Sequence, residues 1–296
     1  MTLVVTGAAG WFGQAFLELL AGEEGDVRVI VRQPADVPTV RALLPRARVY
    51  VADLVAGADE PFEGLSSCTV VHAAGVIHPA TVSDFEAVNV RATENVLLAA
   101  LAAGVSRFVH VSSNSAIGTN PTPLEAFRDN EPYDPYLAYG RSKMAGEVLV
   151  REGLDNAGVP GVVLRPPWFY GRHQPLRQAR FLKAVRSGGF PMIGAGDNKR
   201  SMVDVDRLAR AAWQALTAEV TGVPSYWIAD ARPYTMTEVV DAVWEAAELE
   251  GLPVKRRVLR LPAVAGPVAQ RVDAFLQGRG RYVQEIHVAG ELDKTI

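Results

Sequence analysis

In TGAAGWFG, residues 6–13, Gly7, Gly10 and Gly13 form the pattern G-x-x-G-x-x-G, directly after a Val-rich apolar run and before a segment of helical period. Such a strand-to-helix turn can bind a dinucleotide. Glycines permit a tight turn, close backbone approach to a pyrophosphate and tight helix–strand packing, while the helix N-terminus favours negative charge. Ala9, Trp11 and Phe12 share the expected cofactor contact. The second apolar run ends VRVIVRQP, with Arg32 where an NAD site carries an acid for the ribose hydroxyls. A guanidinium pairs with a 2′-phosphate through two parallel hydrogen bonds, so NADP is the expected cofactor and NAD the other possibility. Arg28, inside the run, is a weaker second candidate. Asp53, with Leu54 in VADL, can accept from an adenine amino group, and Ala73, Ala74 and Gly75 of HAAG bring small-residue backbone alongside the cofactor. His72 reads as a packed strand-end histidine. In YLAYGRSKMAGE, Tyr139 and Lys143 lie one helical turn apart on one face. With eight Tyr and five Lys in 296 residues, about 0.14 such pairs are expected by chance, so this single match has meaning only through its surroundings.

The elements that would position these residues alternate in type. Strands are expected at Thr2–Thr6, Val27–Val31, Arg48–Ala52, Thr69–His72, Arg107–Val111 and Gly161–Leu164, and helices at Trp11–Ala21, Ser83–Ala103 and Tyr136–Asn156. Apolar strands separated by helices predict an α/β fold, a doubly wound parallel sheet of the Rossmann type. After residue 166 the pattern is less regular. Helices are expected at Leu176–Ser187, Val205–Thr217 and from a Thr235/Glu238 capping box, then a strand at Tyr226–Ala229, a strand at Val254–Leu261 and a helix at Pro262–Gln277. Residues 1–166 read as the dinucleotide-binding domain and 167–296 mainly as a smaller substrate-binding region, with roughly 200–230 returning to the first domain.

Composition is that of a globular protein, 49% hydrophobic and 21% charged. A net charge of −3 gives no reason to expect a nucleic-acid partner, whose binding requires a basic face. No apolar run is long enough to span a bilayer, so neither membrane nor nucleic acid is an expected partner. Met1-Thr2 leads straight into LVVT without a signal peptide, and the expected location is cytoplasmic. The single Cys68 reads as a buried thiol, and no metal is expected. The chain ends on VAGELDKTI with no evident closing element, as one continuing into a tail would.

TGAAGWFG, ADL at 52–54, HAAG, Asn89 in AVNVRAT, VSSNSAIG at 111–118, Tyr139-x-x-x-Lys143, LRPPWFYG at 164–171 and MVDVDRLARA at 202–211 occur in the order seen in the extended short-chain dehydrogenases/reductases, which this chain resembles over at least two-thirds of its length. The resemblance implies roles. Tyr139 would be the general acid/base, a phenol whose pKa near 10 is lowered by the Lys143 ammonium and a positive nicotinamide ring. Lys143 would also bind the nicotinamide ribose. Ser113, with Ser112 and Ser115 as near neighbours, aligns with the residue that holds the substrate oxygen. Asn89 resembles an asparagine that supports the active-site backbone or a water. Pro166, after Arg165, would border the nicotinamide, and Trp168 and Phe169 would begin the substrate wall, though an aromatic cluster serves equally as core.

The family hosts several reactions, so the site must separate them. Its dehydratases carry an acidic pair after the catalytic Ser or Thr; here Asn114 and Ser115 follow Ser113. Arg32 suits an exchanging NADP and net redox chemistry, whereas the family's sugar-nucleotide epimerases hold NAD tightly. GLPVKRRVLRLPAVAGPVAQ is similar to the substrate region of the 3β-hydroxysteroid dehydrogenase and dihydroflavonol reductase groups, with Trp168, Phe169, Phe190 and Met192 available for an apolar pocket. The expected enzyme is an NADP(H)-dependent oxidoreductase interconverting a secondary alcohol and a ketone on a small molecule. A nucleotide-sugar 4-epimerase with bound NAD is the enzymatic alternative, favoured by Arg172, Arg177, Lys199 and Arg200 if these are not surface charges. A non-catalytic NADP-sensing protein is the alternative of another class. Resemblance further implies a homodimer through the helices at 83–103 and 136–156.

Overall fold

The computed structural model describes residues 2–120 and 127–291. Six strands of the first half are β1 (Thr2–Thr6), β2 (Val27–Val31), β3 (Arg48–Val51), β4 (Cys68–His72), β5 (Val105–Val111) and β6 (Gly161–Arg165). The shorter β7 (Trp168–Tyr170), β8 (Pro191–Ile193), β9 (Lys199–Arg200), β10 (Met202–Asp204), β11 (Ser225–Trp227), β12 (Tyr234–Thr235) and β13 (Leu259–Leu261) follow. Helices are α1 (Trp11–Leu20), α2 (Val37–Leu43), α3 (Ser83–Glu86), α4 (Ala92–Ala102), α5 (Leu137–Ala157), α6 (Leu176–Ser187), α7 (Val205–Thr217), α8 (Met236–Leu249), α9 (Ala265–Gly278) and α10 (Gln284–Glu291).

Seven strands form one sheet in the order β11-β6-β5-β4-β1-β2-β3, and every neighbouring pair is parallel. Strands β1, β2, β4 and β6 are buried at every position, as required when both faces of a parallel sheet are covered. Side chains alternate between two cores. Leu3 and Val5 of β1 join the α1 and α7 side, with Phe16, Leu17 and Leu208; Val4 joins the α4 and α5 side, with Val96, Val150 and Leu154. Burying each of these large side chains contributes about 1.5–3 kcal/mol, so the sheet is fixed against its helices before any site residue is considered. The order reverses between β1 and β4, which opens a crevice at the strand carboxyl ends, beside Thr6 and His72.

The second half returns to this sheet. Strand β11 pairs with β6, and α7, capped by the Asp204 carboxylate, packs against α1. A third core of Val185, Phe190, Met192, Met236, Val240 and Trp244 joins α6 to α8. The Thr235/Glu238 capping box forms at the start of α8.

Four elements differ from the sequence reading. The helix expected over Ser83–Ala103 is broken by a π turn, Ala87–Arg91, between α3 and α4. The strand expected over Val254–Leu261 forms only at Leu259–Leu261, because its partner β8 offers three residues. Helices α2 and α10 carried no clear sequence signal.

Candidate active site

The glycine turn lies in the crevice. Gly7 adopts φ +68°, and a Cβ there would stand 2.6 Å from the Ala73 carbonyl and the Ala74 amide. Gly10 donates its amide to the Gly7 carbonyl at 3.0 Å, and a Cβ on Gly13 would collide with that carbonyl. A cleft of about 330 Å³ is lined by Gly7, Ala9, Gly10, Arg32, Asp36, Asp53, Leu54, Ala73, Ala74 and Gly75 among others. This backbone-lined groove, open only because side chains are missing, ends at the N-terminus of α1 and fits a dinucleotide pyrophosphate. Gly7→Ala forces a left-handed backbone and a steric clash. It is expected to weaken dinucleotide binding at least about tenfold and to destabilise the fold by about 1–3 kcal/mol, measured by titration calorimetry and urea unfolding.

Not all of the expected cofactor residues reach that cleft. Phe12 is buried and stacked on Phe16, with ring centroids 5.6 Å apart, so it serves the core. Trp11 is also buried; its Nε1 donates to the Arg172 carbonyl and its ring meets Phe169 at 5.8 Å. Arg28 is occupied, donating from Nη1 to the carbonyls of Pro61 at 2.8 Å and Glu63 at 2.9 Å, which removes it as a cofactor ligand. Arg32 is exposed at the cleft, with no hydrogen-bond or ion-pair partner among the described residues. Asp36 lines the same cleft, brought there by a 3₁₀ turn at Pro34–Asp36, and was not singled out in the sequence because it lies beyond the strand end.

A polar chain runs beneath the cleft. Thr6 Oγ1 accepts from the Ala73 and Ala74 amides, both at 3.1 Å, so its own proton goes to His72 Nδ1 at 2.8 Å. His72 Nε2–H then donates to Thr93 Oγ1 at 2.9 Å, and Thr93 donates to the Asn89 carbonyl at 2.8 Å. Burial and the Lys143 charge push His72 down to about 3, keeping it neutral as this chain requires. The relay ends on the π turn that carries Asn89. There Asn89 Oδ1 accepts from the Val76 amide at 2.8 Å, and Nδ2 donates to the Val76 carbonyl at 3.0 Å and to Ser142 Oγ at 2.9 Å. Asn89 thus ties the HAAG loop to α5. The extra residue of the π turn re-aims this side chain, a role such bulges commonly have at functional sites.

Ser113 lies two residues past β5 and caps a 3₁₀ turn, Asn114–Ala116. Helix α5 packs against this turn through Gly140, where a Cβ would come within 2.5 Å of the Ser115 carbonyl. This approach brings the preceding residue, Tyr139, close enough to the Ser113 hydroxyl for that group to lower the phenol. One turn on, buried Lys143 donates from Nζ to the Val111 carbonyl at 3.0 Å and lies 3.9 Å from where a Gly75 Cβ would be. Ser113, Tyr139, Lys143 and Asn89 therefore converge beside the HAAG backbone.

The electrostatics differ from the expectation. Burial holds the Tyr139 phenol above its ordinary range; the Ser113 hydrogen bond and the Arg177 charge pull it down, and the Glu291 charge pushes it up. The Arg177 charge lowers the phenol, while the Lys143 ammonium donates to the Val111 carbonyl. Lys143 itself is pushed down to about 8 by burial, with the Glu147 carboxylate opposing. Arg177 sits at the start of α6 with its guanidinium 6.0 Å from the Trp11 ring centroid. The sequence marked Arg177 only as a possible sugar-diphosphate contact, because its nearness to Tyr139 depends on the tertiary fold. Phe85 packs 5.8 Å from Tyr139 and 5.4 Å from Tyr282, whose hydroxyl lies 2.7 Å from His78 Nδ1.

Of the expected substrate residues, Trp168 donates to Gln178 Oε1 at 3.3 Å and packs edge-on to Phe181. Phe169 meets Trp11. Met192 and Phe190 do not line an open wall: both are 4% exposed, in the core between α6 and α8. Cys68 is buried, and burial pushes its thiol up to about 11.

The parallel sheet, the glycine cleft at its switch point and the Ser–Tyr–Lys cluster define a nucleotide-cofactor oxidoreductase of Rossmann architecture. The chain belongs to the NAD dependent epimerase/dehydratase family, whose profile matches residues 3–229, and is of the extended short-chain dehydrogenase/reductase type. It is 39% identical to uncharacterized protein y4nL of Sinorhizobium fredii, over 99% of this chain and 86% of that one. It is 30% identical to a ceramide reductase of Caulobacter vibrioides, over 88% of this chain and 73% of that one. Its fold is similar to that of DesIV, a dTDP-glucose 4,6-dehydratase from Streptomyces venezuelae solved with NAD and TYD bound, with a TM-score of 0.73, 25% identity and coverage of 99% and 96%.

Proposed function

We propose that the protein is an NADP(H)-dependent reductase interconverting a ketone and a secondary alcohol on a small, largely apolar substrate. The observation that carries this reading is the convergence of Ser113, Tyr139 and Lys143 beside the glycine cleft. A reduced nicotinamide bound there would supply the hydride. Gly7, Gly10 and Gly13 accommodate its pyrophosphate, and the remaining Lys143 N–H groups suit ribose hydroxyls. Ser113 Oγ orients the substrate oxygen. Tyr139, kept protonated at neutral pH by burial, donates its proton to that oxygen as negative charge develops on it. Asn89 holds the Val76 backbone and α5 in register.

The acidic pair that the family's dehydratases carry after the catalytic Ser or Thr is replaced here by Asn114 and Ser115, which supports net reduction over elimination of water. The ceramide reductase similarity supports an apolar substrate. The test is a panel of ketones and UDP-sugars with NADPH and with NADH, read by absorbance and product mass. Ketone-dependent NADPH oxidation is expected. Interconversion of UDP-sugars by tightly bound NAD, without net absorbance change, would replace this reading with the epimerase.

The free Arg32 guanidinium supports NADP over NAD. Arg32→Asp is expected to move the NADP/NAD ratio of kcat/KM towards NAD by about tenfold or more, measured by initial rates with each cofactor. An unchanged ratio would assign specificity to another group in the cleft, with Asp36 the first candidate. A homodimer through the outer faces of α4 and α5 completes the proposal; Val96, Leu97, Ala99 and Ala100 are buried inward and Leu98 faces out.

A further inference from the structure

Helix α9 has one face built into the molecule and another left bare. Inward, Asp273 accepts from Gln277 Nε2 at 2.9 Å and pairs with His287 Nδ1 at 2.7 Å; Gln277 Oε1 accepts the Ala138 amide of α5 at 3.1 Å. Tyr282, just past α9, reaches Phe85 beside Tyr139. Helix α9 is thus held at the wall of the candidate active site. Outward, Val264, Val268, Val272 and Phe275 recur at helical spacing as one ridge, 63%, 49%, 41% and 57% exposed.

Cations accompany the ridge: Arg271 and Arg279 lie beside it on α9 and at its C-cap, Arg281 follows, and the preceding segment carries Lys255, Arg256, Arg257 and Arg260, all exposed, in a chain of net charge −3. The only acid of residues 255–281, Asp273, is buried against His287. Among the described residues only Arg256 of the seven pairs with a carboxylate, that of Glu248. Arg279 stacks its guanidinium on Phe275, 3.7 Å from the ring centroid, so a cation sits on the ridge itself.

We propose that the α9 face docks on an anionic lipid bilayer, with the valine–phenylalanine ridge entering the headgroup boundary and the flanking arginines on lipid phosphates, so that the candidate active site lies against the membrane surface. A helix with an apolar stripe and Arg at its edges is the pattern of an interfacial helix. A second copy in a two-fold interface would set this cationic face against itself. A protein partner would need a carboxylate fixed opposite each cation, whereas anionic headgroups adjust. The sequence reading excluded a membrane because it asked only for a spanning segment; among the described residues none is long and apolar enough to cross, and surface docking needs none.

The experiment is sedimentation of the full chain with vesicles of phosphatidylglycerol and phosphatidylcholine, against vesicles of phosphatidylcholine alone, at low and high salt. Binding to the anionic vesicles is expected to be at least about tenfold tighter and to weaken with salt. The V268S/F275S variant is expected to lose about tenfold of that binding with its melting temperature and circular dichroism unchanged. Variant and parent pelleting alike, or no preference for anionic vesicles, would overturn the proposal. So would a ridge-dependent dimer in light scattering without vesicle binding, which would assign the face to a second copy.

Discussion

Tyr139→Phe is expected to lower kcat for ketone reduction by about three orders of magnitude while leaving the Kd for NADPH within about twofold. The phenol hydroxyl meets Ser113, and its ring is held by Phe85. Phenylalanine keeps the ring and its packing and removes only the proton donor. A structural role would predict the reverse, a loss of stability with chemistry intact. Stopped-flow hydride transfer and a fluorescence titration of NADPH separate the two. Turnover that survives in the variant would remove Tyr139 from the reaction and leave Ser113 and the cofactor cleft as a binding site alone.

Glu147→Gln should be the most destabilising single substitution near the site, by about 3–5 kcal/mol, measured by urea denaturation. Glu147 is fully buried and lies two turns after Tyr139 and one after Lys143 on α5. It accepts from Arg165 Nη2 at 2.7 Å and from the Tyr133 hydroxyl at 2.9 Å. Burial of Arg165 opposes its charge, and the Glu147 hydrogen bond and charge outweigh that, holding it above its usual range. Removing the carboxylate therefore leaves an uncompensated guanidinium between the rings of Tyr133 and Trp227. The double variant E147L/R165M is expected to be less destabilised than Glu147→Gln, because it removes both desolvated charges at once. A double variant weaker than the single would show that the pair stabilises beyond its desolvation cost. A second effect follows from the same charge: Glu147 raises the Lys143 pKa, so its loss should move Lys143 below its present value of about 8.

The buried strands, the glycine turn and Tyr139 with Lys143 were legible because each is written locally. A strand of five buried residues such as Cys68–His72 shows as an apolar run, and Gly7 is dictated by a backbone that only glycine adopts without strain. Ser113 was legible only to within its serine neighbours, and the 3₁₀ turn that aims it came from the fold. Phe12 and Met192 were read as ligand contacts and prove to be core, since an apolar side chain next to a cleft carries no mark of which way it faces.

The sequence by itself determined the sheet, its connectivity and the residue types available for chemistry, because period, chain stiffness and glycine placement act over a few residues. Tertiary structure decided which charges act on the phenol. It brings Arg177, 38 positions away in the chain, near enough to lower Tyr139, while Lys143, four positions away, donates to the Val111 carbonyl. It likewise decided that Gln277 would cap α5 and that Arg28 would be taken by the loop at Pro61 and Glu63. Electrostatic and hydrogen-bond partners are chosen by distance in space, and that distance is set only once the cores on both faces of the sheet have closed.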